Sequence, residues 1–103
     1  MTLSSAARKQ FRTIGHQLKP IVIIAQKGMT ENIKAEIDRA LNDHELIKIK
    51  LVVSSKAEKK ALAESICAEF SAECIQSIGQ VLLLYKATKN QDLRLSNLLR
   101  NRS

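Results

Sequence analysis

Apolar positions recur along this chain with two alternating periods, and each change of period marks an element. Ala7, Phe11, Ile14 and Leu18 follow at steps of four, three and four, lining one face of an amphipathic helix. Ser4 or Ser5 supplies its N-cap, and Gly15-His16 ends it. Pro20 then opens Ile21-Val22-Ile23-Ile24, a β-branched run of strand length, short enough to be a buried strand. After Ala25-Gln26-Lys27-Gly28, Thr30 is placed to cap a second helix built on Ile33, Ile37, Ala40 and Leu41. Glu31 sits near that helix's positive end. Glu45–Val53 reads as a strand, because Ile47, Ile49, Leu51 and Val53 alternate with Lys48, Lys50 and Val52. Ser55-Lys56-Ala57-Glu58 matches a capping box and starts a third helix, with Leu62, Ile66 and Phe70 as its core stripe and Ala61 alongside.

Cys74–Ile78 and Val81–Tyr85 flank Gly79-Gln80, a two-residue hairpin with glycine where a type II′ turn requires it. The predicted order is α-β-α-β-α-β-β, a single α/β domain of two layers with a mixed four-stranded sheet. Strands separated by helices imply parallel pairing through right-handed crossovers, and the closing hairpin adds an antiparallel pair. The domain is expected to span residues 1–89. Residues 90–103 form a basic C-terminal tail, where Leu95, Leu98 and Leu99 leave open a short docked helix or a flexible end.

Charge adds the first functional information. The 103 residues carry 17 Lys+Arg and 10 Asp+Glu, a net charge of +7. Residues 1–20 hold +4, residues 86–103 hold +4, and the stretch between nets −1. A basic surplus at the chain ends, outside a balanced middle, points to a polyanion, of which nucleic acid is the commonest. Phe11, Phe70 and Tyr85 are the whole aromatic complement. That argues against modules that stack bases on an aromatic platform.

Other chemistries find little support. Cys67 and Cys74 make no disulfide framework or zinc motif, and His16 and His44 stand alone in the sequence, so no metal or other cofactor is expected. Glu31, Glu36, Asp38, Glu58, Glu64 and Glu69 fall mainly on polar helix faces as solvated charges. No nucleophile–base pattern or phosphate-binding glycine motif is present, so the chain does not read as an enzyme and calls for no small-molecule substrate. Met1–Phe11 lacks a secretory signal, and Ile21–Ala25 and Val81–Tyr85 are far too short to span a bilayer. A soluble cytoplasmic protein without a membrane partner is expected.

The loop at Ala25–Thr30 is the most informative local feature. A strand delivers the chain to Lys27 and Gly28, and a helix N-terminus follows, with unpartnered N–H groups that suit a phosphate. The plainer reading is that Gly28 only makes the turn and Lys27 is solvated.

Several stretches together resemble the CRM-domain family (chloroplast RNA splicing and ribosome maturation), and within it the small bacterial YhbY-like proteins. They are Leu3-Ser4, Leu18-Lys19-Pro20-Ile21-Val22-Ile23, Lys27-Gly28-Met29-Thr30-Glu31, His44–Lys50 and the hairpin Ile78–Lys86. The resemblance covers roughly residues 3–89 and is carried by order and spacing rather than by any one stretch. It implies an RNA-binding fold like the C-terminal domain of translation initiation factor three. It also implies a role in ribosome biogenesis, with ribosomal RNA in precursors of the large ribosomal subunit as partner. The alternative is a protein-interaction module of a ribosome-associated factor. The family's loop is G-x-x-G, likened to the backbone-clamping loop of KH domains. Here the tetrapeptide is Ala25-Gln26-Lys27-Gly28. If the first position needs positive φ, Ala25 costs roughly 1–2 kcal/mol; if it needs only a small side chain, Ala25 serves.

The expected RNA-binding residues are therefore Gln26, Lys27, Gly28, Met29 and Thr30 at the loop, and Arg8, Lys9 and Arg12 on the first helix. Lys19 and Lys86 flank the strands. Lys48 and Lys50 share one strand face and are RNA contacts if it is open, or solubilising cations if not.

Overall fold

Seven elements form in the order that the hydrophobic pattern predicts: α1 (Ser5–Gly15), β1 (Pro20–Ile24), α2 (Glu31–His44), β2 (Leu46–Leu51), α3 (Lys56–Phe70), β3 (Glu73–Ile78) and β4 (Val81–Tyr85). They belong to a computed structural model that describes residues 4–25 and 28–87. The tail at 90–103 lies outside the described residues.

Each helix begins at a hydroxyl cap. Ser4 accepts from Ala7 N–H at 3.1 Å, Thr30 from Ile33 N–H at 3.2 Å and Ser55 from Glu58 N–H at 3.1 Å. These bonds satisfy N–H groups that have no partner within the helix. The capping box is half-formed, since the Glu58 carboxylate accepts from the Ser54 hydroxyl at 3.2 Å. At the hairpin Gly79 has φ +56°, and Gln80 is not among the residues with positive φ, as a type II′ turn requires.

The sheet is mixed, in the order β1-β2-β4-β3. β1 and β2 are parallel, and β4 is antiparallel to both β2 and β3. The crossover through α3 therefore skips a place, and β4 fills it. Its sequence explains why: Leu82, Leu83 and Leu84 are all buried, so this strand needs cover on both faces, which a central position provides. β1 and β3 are left as the edges.

One core cluster joins α2 and α3 to Val22, Ile24, Ile47, Ile49, Leu51, Leu82 and Leu84. A second joins Ile14 to Leu46, Ile75 and Leu83, with Phe11, Leu18 and Tyr85 packed around it. Alternation along β4 places the two clusters on opposite sides of the sheet. The expected two layers are thus extended by a partial third, because α1 covers one end of the face that α2 and α3 leave free.

Two further expectations change. Glu45 does not begin the strand. It caps α2 with φ +62°, buried, its N–H donating to Leu41 O and its carbonyl accepting from Lys86 N–H at 2.9 Å. The chain reverses there, so β2 starts one residue later. Ala61 is exposed, and Ala63 and Cys67 flank the Leu62–Ile66 stripe instead, because the helix turns its 63–67 side to the sheet.

α1 sits close to the sheet. A β-carbon on Gly15 would lie 2.6 Å from a Leu83 methyl. Gly15→Ala is expected to lower unfolding free energy by about 1–2 kcal/mol, overpacking outweighing the gain in helix propensity. In a denaturation double-mutant cycle, Leu83→Val should recover part of that loss.

Candidate nucleic-acid interface

The turn after β1 is closed by Gly28 N–H donating to Ala25 O at 2.9 Å, and Thr30 N–H then donates to Gly28 O at 3.1 Å. Gly28 has φ +72°, and a β-carbon there would meet nothing within 4 Å. The glycine is needed for its backbone conformation, and the space beside it is open. Ala25 is not among the non-glycine residues with positive φ, so it carries no strain of that kind. Met29 packs against the main core and anchors the turn from below, while Thr30 is exposed as the α2 cap. Gln26 and Lys27 lie outside the described residues.

The other expected cations fall into two groups. Lys19 precedes β1, and Lys86 follows β4 beside Glu45, at the end of the sheet that α1 covers. Lys9 is exposed on α1 and Arg12 is half-buried in its last turn. Arg8 is engaged within the fold. Its guanidinium donates to the Glu73 carboxylate at 2.5 Å and to Cys74 O at 3.4 Å, tying α1 to β3. The loop lies at the opposite end of β1, about 15 Å away for a strand of five residues.

Lys48 and Lys50 stand between the two ends, on the side of β2 that also carries Leu46. Leu46 lies under α1, whereas Lys48 is half-buried and Lys50 is exposed, so the half of the face around Lys50 is open. Sequence reasoning missed their neighbours. Register places Ile23 beside Lys50, Lys50 beside Val81, and Val81 beside Ile78, a single row across all four strands. Ile23 is 57% and Ile78 60% exposed. The signal was present only in combination, since it needs the strand order as well as the alternation.

A second depression of about 660 Å³ lies between α3 and the β3–β4 hairpin, with Ala63, Cys67 and Cys74 among its walls. Lys59 donates to Gly79 O across it. Burial pushes both thiols above their ordinary range, and at Cys67 the charge of an ionised Cys74 would add to the rise. Tyr85, its ring 4.7 Å from Phe11, is raised by burial and then by the carboxylates of Glu45 and Glu73.

This small basic module, with a mixed sheet and an open helix N-terminus after a glycine turn, belongs to a recognisable class. The chain is a member of the CRS1/YhbY (CRM) domain family, matched across residues 3–86. The family is an RNA-binding domain and not an enzyme family. A probable RNA-binding protein of Pseudomonas aeruginosa is 44% identical over 100 residues, 97% of this chain and 96% of that one. An RNA-binding protein of Haemophilus influenzae is 38% identical, covering 92% and 97%. The solution structure of a hypothetical Staphylococcus aureus protein, described as a candidate RNA-binding protein, superposes with a TM-score of 0.75 at 30% identity, covering 86% and 93%. No helix among the described residues is long and apolar enough to cross a membrane.

The raised groups have a consequence for pH. Cys67, Cys74 and Tyr85 hold their protons more tightly in the folded chain, so the unfolded chain ionises first as pH rises. Stability is therefore fully present below the ordinary thiol range and declines through the alkaline region above about pH 8.5. Urea midpoints across that range check it, and Cys67→Ser/Cys74→Ser should flatten the lower part of the decline.

Proposed function

We propose that this protein binds ribosomal RNA and acts on precursors of the large ribosomal subunit. The observation that carries the proposal is the Gly28 turn, which leaves the N-terminus of a 14-residue helix open to solvent, and Lys27 precedes that glycine in the sequence. Backbone N–H groups and the helix dipole favour a phosphate at such a place, and the open space where a Gly28 β-carbon would stand gives a sugar-phosphate chain room to approach. The names of the relatives support RNA as the ligand.

Lys9, Arg12, Lys19 and Lys86 extend the cationic surface at the α1 end of the sheet. Arg8 contributes indirectly by fixing α1 on β3 through Glu73. With this division of labour, binding is dominated by phosphate contacts and RNA shape, and its affinity falls as salt rises.

RNA binding measured against salt tests the reading. Lys27→Ala and Lys9→Ala/Arg12→Ala should weaken binding to all sequences and reduce the logarithmic salt slope by about 1 for each phosphate contact removed. Wild-type slopes in both variants would sink the proposed surface. Gly28→Ala should weaken binding while lowering fold stability by only about 1–2 kcal/mol, since its cost is the left-handed backbone alone. Crosslinking in cells followed by sequencing tests the ribosomal assignment: recovery of RNA other than large-subunit RNA removes it.

A further inference from the structure

We infer that the open half of the sheet is a second RNA-contact surface, one that packs unpaired nucleotides against an aliphatic row. The inference rests on the RNA-binding reading and adds a site to it. Of the four exposed large hydrophobic residues among those described, Ile23, Val52 and Ile78 project from one side of the sheet, and Ile21 stands at the irregularity near the start of β1. Ile21 and Ile23 alternate with the buried Val22 and Ile24 on β1. Val52 follows the buried Leu51 and is still bonded to β1, its N–H donating to Ile24 O at 2.7 Å. Ile78 pairs with Val81 on the far edge. Lys48 and Lys50 run through the middle of this surface.

Three arguments identify the occupant. The first is charge: the cations here are Lys48 and Lys50, while the nearest strand carboxylate on this side, Glu73, lies at the α1 end and is held by Arg8. An anion is therefore favoured. The chain's own residues 88–103 carry a net +3 and a second copy carries +7, which disfavours either as the cover. The second is position. The surface lies between the Gly28 turn at one end of β1 and α1 at the other, so an RNA strand reaching from one to the other crosses it. The third is chemistry. Aliphatic side chains gain only from apolar surface, and a duplex keeps its base faces stacked inside, whereas a single strand can lay them on the sheet. Such contacts are weaker than aromatic stacking and tolerate any base.

Isoleucine-methyl NMR of the intact protein provides the test, with a short oligo(U) and its oligo(A) duplex as probes. The Ile21, Ile23 and Ile78 methyl signals should move with the single strand, while the buried Ile37, Ile49 and Ile66 stay in place. The duplex should move backbone signals of the Gly28 turn and α1 without moving those methyls. Ile23→Thr/Ile78→Thr keeps β-branching and should weaken single-strand binding about five-fold with the salt slope unchanged. Lys50→Gln should instead reduce the slope by about 1. Turn and α1 signals that respond while the three methyls stay silent would overturn this surface and leave the RNA-binding reading standing. Absence of binding to either probe and to ribosomal RNA would overturn that reading as well. If sedimentation shows self-association that the paired Thr variant abolishes without loss of RNA affinity, the face is a protein interface and the inference fails.

Discussion

Leu83 occupies the place that a side chain on Gly15 would need, and that contact determines how the remaining parts meet. It lets α1 descend onto β4 and bring Phe11 against Tyr85, closing a small core on the second side of the sheet. Only an element without a β-carbon fits so close to a buried leucine. With α1 held there, Arg8 reaches Glu73 on the far strand, and Lys9 and Arg12 gain a fixed bearing relative to the strands. The position of the basic helix is a packing result before it is an electrostatic one.

The same contact decides what stays uncovered. α2 and α3 complete one face of the sheet, whereas α1 lies across only the end marked by Leu46, Leu83 and Ile75. β4 can be central because both its faces are apolar where they are covered, and β1 can be an edge because Ile21 and Ile23 need no cover to fold. Aliphatic side chains left about half exposed forgo a corresponding part of the burial free energy, which is about 1.5–3 kcal/mol for a whole side chain. Their grouping around two lysines is what distinguishes them from scattered surface residues.

Much of the architecture was legible in the sequence because local signals agreed with one another. Ser4, Thr30 and Ser55 mark the three helix starts, the 47–51 alternation marks β2, and Gly79-Gln80 marks the hairpin. What local patterns do not encode is the order of strands. The run at 81–85 is apolar on both faces, which signals central burial only after β4 is set between β2 and β3. The run at 21–24 looks equally apolar, yet half of it faces solvent. Of the candidate site, Gly28 and the Thr30 cap followed from turn and helix chemistry. The role of Arg8 did not, since its partner lies 65 residues away. Glu45 defeated the strand pattern by adopting a positive φ at a chain reversal, which no periodicity reports.

Glu45 also closes the fold. Its carbonyl accepts the N–H of Lys86, so the end of α2 is stitched to the exit of the last strand. Every strand has found its neighbour by that point in the chain, and the hydrogen-bond ladder ends on a helix terminus instead of in open solvent. Lys86 is thereby held in place at the α2 end of the sheet. A change that pulled the end of α2 away would therefore also loosen the last strand's exit, although the two segments are some forty residues apart in sequence.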